Sequence, residues 1–178
     1  AVFDEREPDY VALYIPGGPR LPLASDVNVS AYTEFTWPVD WMGGGADLPG
    51  LHSVCIDPRD ANLIRVAVST GGVWQSADGG ATWTNDNSGM WQDHAPEESK
   101  FDPNGQDAHR LVQSPSAPDR LWIQHHNGIF RSDDAGRTWT ECLGVAPSSF
   151  GFAVAVHPKD PDTAWFVGFW IRKLVISC

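Results

Sequence analysis

A chain of 178 residues is long enough to bury a core of its own and short enough to be one domain. Twelve Lys and Arg stand against 23 Asp and Glu, and the formal charge of -11 repels phosphate backbones and anionic bilayers, which argues against nucleic acid and membrane as partners. No apolar run approaches the roughly 18–20 residues of a membrane span and no basic-then-apolar leader opens the chain, so it reads as soluble, either cytoplasmic or secreted after loss of a signal.

Nine Trp, 17 Gly and 14 Pro suit many short strands joined by tight turns. Helical periodicity fails throughout, because Gly, Pro, Asn and Asp interrupt the chain every eight to twelve residues or so. The expectation is an all-β protein. Cys55, Cys142 and Cys178 have no zinc-like or CxxC spacing and are too few for a disulfide framework.

In chain order, residues 1–45 hold two candidate strands without a recurring motif, Tyr10–Ile15 and Val27–Phe35. A repeat then begins. Its first copy runs from His52 through Pro58 and Leu63–Ser69 to Gly72-Val73-Trp74, and ends in the octapeptide Ser76-Ala77-Asp78-Gly79-Gly80-Ala81-Thr82-Trp83. After a long loop, the second copy runs from His109 through Pro115 and Leu121–His125 to Gly128-Ile129-Phe130, and ends in Ser132-Asp133-Asp134-Ala135-Gly136-Arg137-Thr138-Trp139. A third copy starts at Phe152, passes Pro158, reaches Ala164-Trp165-Phe166 and never arrives at an octapeptide; the tail 169–178 can pair as a further strand and, with the N-terminal strands, help close another blade.

The matching prolines are 57 and 43 residues apart, and a repeat in the forties suits a four-stranded propeller blade. The expected organisation is a single domain: divergent strands over 1–45, a blade over 46–88, a long loop over 89–108, a blade over 109–145 and a partial blade over 150–178. The fold class is therefore a partial β-propeller of about three to four four-stranded blades.

Each octapeptide makes sense as a hairpin turn. Asp78 and Asp134 can accept hydrogen bonds from turn amides and from Ser76, Thr82, Ser132 and Thr138, while Gly80 and Gly136 supply backbone freedom. Trp83 and Trp139 can bury a large apolar area beside the turn. These residues signal a fold and not an active site.

On these boxes and their Gly-Gly-Val-Trp-Gln-Ser and Gly-Ile-Phe-Arg-Ser leads, the chain resembles the BNR/Asp-box superfamily. That group includes sialidases, reducing-end xyloglucan hydrolases, sortilin-type receptors and photosystem assembly factors. From Trp41-Met42-Gly43-Gly44-Gly45 through Gln106-Asp107-Ala108-His109-Arg110 to Trp165 it is similar to bacterial proteins labelled exo-α-sialidase or glycosyl hydrolase. The resemblance implies a carbohydrate-binding or glycoside-hydrolase-like propeller segment. Propellers of the group commonly have six to eight blades, so two complete units point to a piece of one. A homo-oligomer, most simply a dimer that closes the ring, is the expected way to cover its open faces.

Glycoside hydrolysis requires paired carboxyls, for which Asp93, Glu97 and Asp107 are the candidates. The arginine motif and the tyrosine nucleophile of a sialidase have no counterparts, so sialidase chemistry by this chain is not expected. Arg65, Arg110, Arg120, Arg131 and Arg137 sit at repeat-related places and look structural. His52 and His109 open successive inner strands at similar heights, Gln106 precedes one of them, and His125 and His126 end the next strand; together they suggest a polar ring that binds a ligand. Trp41 and Trp91 lie outside the repeat core and are the candidate sugar platforms. No histidine spacing carries a ligand signature, so no metal or cofactor is expected. The competing reading is a non-catalytic scaffold or interaction module.

Overall fold

In the computed structural model the described residues are 50–85, 87–146 and 148–168, together with the backbone of three further short strands. The chain divides into two compact units, Ala1–Val39 and Asp40–Cys178. In the first, β1 (Val2–Phe3) pairs antiparallel with β2 (Val11–Ala12). The remainder of the two N-terminal candidate strands, and Trp41, lie outside the described residues.

The second unit is built of antiparallel meanders. β3 (Leu51–Asp57), β4 (Asp60–Val68), β5 (Gly72–Ser76) and β6 (Thr84–Asn85) form one sheet in that order. β7 (Ala108–Gln113), β8 (Leu121–His125), β9 (Ile129–Ser132) and β10 (Thr140–Glu141) form the next. β11 (Gly151–Val156), β12 (Thr163–Gly168) and β13 (Leu174–Ser177) form a third. These are two complete blades and a three-stranded one, and the tail strand adds to β12.

β8 shows why the repeat's second strand reads as a continuous apolar run. Leu121 and Ile123 pack with Ala67, Val73, Leu111 and Phe130 between the first two sheets, while Trp122 packs with Ala164 and Phe166 between the second and third. Successive side chains point to opposite faces, and both faces are covered by a neighbouring blade, so alternation in hydrophobicity vanishes. Trp122 and Phe166 meet edge to face at 6.1 Å.

The two boxes fold identically. Ser76 Oγ donates to Asp78 Oδ1 and accepts from the Gly80 N–H, both at 2.8 Å, and Asp78 also takes the Thr82 N–H at 2.8 Å and the Thr82 hydroxyl at 2.6 Å. Ser132, Asp134, Gly136 and Thr138 repeat every one of these bonds at 2.7–2.9 Å. Gly80 and Gly136 have φ of +98° and +91°, where a side chain would strain the backbone. The two tryptophans diverge: Trp139 is buried in the core between the first two blades, whereas Trp83 is only partly buried, its indole N–H on the Gly80 carbonyl.

Arginines join the blades. Arg65, fully buried on β4, donates to Gln75 Oε1 and to the Ala135 carbonyl in the second box, both at 3.0 Å. Arg120 reaches from the second blade to Asp162 of the third. Cys55 is a free thiol and Cys142 is disulfide-bonded, where cysteine count alone suggested no pairing framework.

The inter-blade segment 87–107 is folded onto the first blade. Asn87 accepts the Val73 N–H and donates to the Pro103 carbonyl, the Gly72 N–H donates to the Gln106 carbonyl at 2.7 Å, and Met90 is buried in the core. A single 3-10 turn, Pro103–Gly105, is capped by Asp102.

Each of the three inner strands β3, β7 and β11 carries a register shift at its second residue, at His52, His109 and Phe152. A bulge re-aims the side chain it carries and bends the strand. The same defect, repeated in three blades, sets three equivalent side chains in a row.

Candidate functional site

That row is the floor of a cluster at the start of the inner strands. The His52 and His109 rings meet edge-on at 6.3 Å, and Phe152 stacks on His109 with centroids 4.4 Å apart and planes 13° from parallel. Phe150 closes against His109, His126 and Phe152 at 5.1–5.5 Å. The strands themselves are tied together, Leu111 N–H donating to Ser53 Oγ at 2.9 Å.

Asp107, one residue before β7, is the hub. Its N–H donates to His125 Nε2 at 3.0 Å and its carbonyl accepts the His126 N–H at 2.9 Å. Carboxylate Oδ1 accepts the Thr70 N–H at 3.3 Å, and Oδ2 lies 3.5 Å from His109 Nε2 and 3.2 Å from His126 Nδ1. Thr70 makes its contact from a left-handed backbone, φ +52°, which costs a non-glycine residue about 1–2 kcal/mol. Its buried hydroxyl has no partner among the described residues.

The electrostatics follow from this packing. Burial works to raise the Asp107 carboxyl, but the neighbouring imidazoles, His109 foremost and then His125 and His126, hold it below the ordinary carboxylate range. Burial opposes charge on His109, and the Asp107 carboxylate with the Gly151 carbonyl outweighs it, so His109 titrates above its ordinary value. His52 is lowered, first by burial and then by His109. His125 is pushed by burial down to about 3.

The predicted site residues separate into groups. His52, His109, His126 and Asp107 converge. Asp93 adjoins them through His94 and His126, its carboxylate 3.5 Å from His94 Nδ1, with the His94 and His126 rings 5.2 Å apart. His125 is wholly buried and serves as a main-chain acceptor. Gln106 is wholly buried too, its amide donating to the Asp102 carbonyl at 2.8 Å. Glu97 is exposed and pairs with Lys100 at 3.7 Å. Trp91 donates to Glu141 at 2.9 Å and has Lys100 over its ring at 5.0 Å, so that face of the indole is covered.

Thr70, His94, Phe150 and Phe152 were not singled out from sequence. Phe152 was findable, since it aligns with His52 and His109 in the repeat; Thr70 was not, because only the turn geometry aims its amide at Asp107.

No protein-family model matches this chain, and no curated protein does. Among solved structures, an ancestral GH74 enzyme superposes with a TM-score of 0.50 at 15% identity over 67% of this chain. YCF48 from Cyanidioschyzon merolae gives 0.49 at 21% identity, covering 70% of this chain and 36% of that one, and the GH74 enzyme of Niastella koreensis gives 0.43 at 22%, covering 64% and 16%. The chain spans 14% of the length of the ancestral enzyme. The class of protein is thus a β-propeller segment, and at this identity the likeness extends to the fold alone.

Proposed function

We propose that this propeller segment binds carbohydrate at the inner-strand cluster and that its own carboxylates do not hydrolyse it. The observation that carries the reading is the union of an aromatic face with polar groups: Phe152, about half exposed, lies on the His109 ring, His109 in turn meets His126, and His126 adjoins Asp93. Sugars are held by this combination, with an apolar ring face stacked on an aromatic and hydroxyls bonded to carboxylate and imidazole.

Hydrolysis is disfavoured by the carboxylates themselves. A glycosidase acid must keep its proton near neutral pH, yet Asp107 is held ionised below its ordinary range. Asp93 and Glu97 are largely solvent-facing, their side chains 56% and 84% exposed.

Calorimetry against xyloglucan and β-glucan oligosaccharides and sialosides tests the proposal. We expect binding by at least one class, weakened about tenfold or more by Phe152→Ala, with no new reducing ends. Absence of binding to every class would overturn it, as would turnover abolished by Asp107→Asn.

A further inference from the structure

We infer that Asp107, His109 and His126 form a binding site for a divalent transition-metal ion of the zinc class. This goes beyond the carbohydrate reading and does not depend on it.

The first support is the fixed tautomer of His109. Its Nδ1 lies 2.8 Å from the Gly151 carbonyl oxygen, which can only accept, so Nδ1 carries the proton. In the neutral ring Nε2 then presents a lone pair toward Asp107 Oδ2. Two electron-rich atoms facing each other need a cation between them, either a proton or a metal. An imidazole whose distal N–H is held by a backbone carbonyl while the other nitrogen faces a carboxylate is the arrangement metal-ligating histidines adopt.

The second support is distance. Tetrahedral zinc with bonds of about 2.0–2.1 Å separates its ligand atoms by roughly 3.3 Å. Asp107 Oδ2 stands 3.5 Å from His109 Nε2 and 3.2 Å from His126 Nδ1, and the ligand atoms of the three residues all lie within 4.8 Å of one another. A charge-assisted hydrogen bond would be shorter, about 2.7–2.9 Å. The contacts have the spacing of a coordination edge.

The third support is rigidity from below and access from above. Asp107 is fixed through its N–H, its carbonyl and Oδ1, leaving Oδ2 as the free donor, while His109 is clamped by Gly151 and by Phe152. His126, whose side chain is 41% exposed, is accessible to solvent. Two histidines and one carboxylate hold three positions and leave the fourth to water or to a ligand donor, the composition of an open site. Asp93, His94 and His126 form a second, more exposed group that shares His126, so the test separates the two.

The full chain, free of any tag and stripped with a chelator, is titrated with Zn2+ by calorimetry and with Co2+ by visible spectroscopy. We expect one ion per chain with the visible bands of tetrahedral Co2+, and a loss of affinity of about 100-fold or more in Asp107→Asn and in His126→Ala. His126→Ala, at an exposed side chain, guards against misfolding of the first variant. His94→Ala is expected to keep the ion within a few-fold, and because the metal titration contains no sugar, a failure of metal binding is read independently of a failure of sugar binding. No stoichiometric binding would overturn the inference, as would an affinity lost in His94→Ala and kept in Asp107→Asn.

Discussion

Below pH 6.5 this protein is expected to lose stability well before its carboxylates begin to protonate. His125 is wholly buried, its Nε2 accepts the Asp107 N–H, and burial holds its pKa at about 3. The unfolded imidazole has an ordinary pKa of about 6.5, so below that value the unfolded chain binds the extra proton and the stability conferred by neutral His125 drains away as pH falls toward 3. The slope is about 1.4 kcal/mol per pH unit, or about 3 kcal/mol by pH 4.5, against total stabilities of about 5–15 kcal/mol. His52, also lowered, acts in the same direction. His109 is raised, so its contribution is complete below 6.5 and is lost on the alkaline side. The box aspartate Asp78, held near 2 chiefly by the Thr82 hydroxyl, contributes only above the carboxylate range and is lost below it. Urea midpoints between pH 7.5 and 4.5 should therefore decline from about 6.5 downward, and His125→Gln should flatten that decline whatever its effect at neutral pH. A wild-type midpoint constant from pH 7 to 5 would contradict this account of His125.

Arg65→Met is expected to cost about 3–5 kcal/mol, the range for removing one member of a buried charged network. The guanidinium is fully buried and meets Gln75, the Ala135 carbonyl and, at 3.4 Å, Asp57. Asp57 keeps Arg59 and Gln113, so the loss falls on Gln75 and on the second box. Gln75 itself donates to the Gly136 carbonyl at 3.4 Å, which makes the Arg65–Gln75 pair the polar fastening between the first blade and the second hairpin. Amide exchange at Gly136 and Thr138 should accelerate in the variant, because their hairpin is released from its neighbour. A loss under 1 kcal/mol with unchanged exchange would show that apolar packing alone joins the blades.

Much of this architecture is written in the repeat. The boxes specify their hairpins because every bond in them is local, from Ser76 to Thr82 and from Ser132 to Thr138. The apolar runs place β8 between two neighbouring sheets and β4 against one, and the alignment of His52 with His109 anticipates their contact. What escaped sequence reasoning depends on chain paths that periodicity does not encode. The bulges at His52, His109 and Phe152 break the period of two by one residue without a shared glycine or proline to announce them, since only Phe152 directly follows a glycine, Gly151. His125 and His126 are adjacent and chemically identical, yet one is sealed as a main-chain acceptor and the other is exposed to solvent, because the strand ends between them. Segment 87–107 has a loop's composition, but Asn87, Met90 and Gln106 anchor it to the first blade.

Nitrogen-detected NMR of the imidazoles, followed across pH in the wild type and in Asp107→Asn, tests the convergence on Asp107 most directly. The expected spectrum shows a His109 proton fixed on Nδ1 in the neutral ring, His109 titrating above its ordinary value and falling when Asp107 is neutralised, and a His125 that stays neutral until the fold is lost. Histidines that titrate independently near 6.5, unmoved by Asp107→Asn, would contradict the site described for this protein.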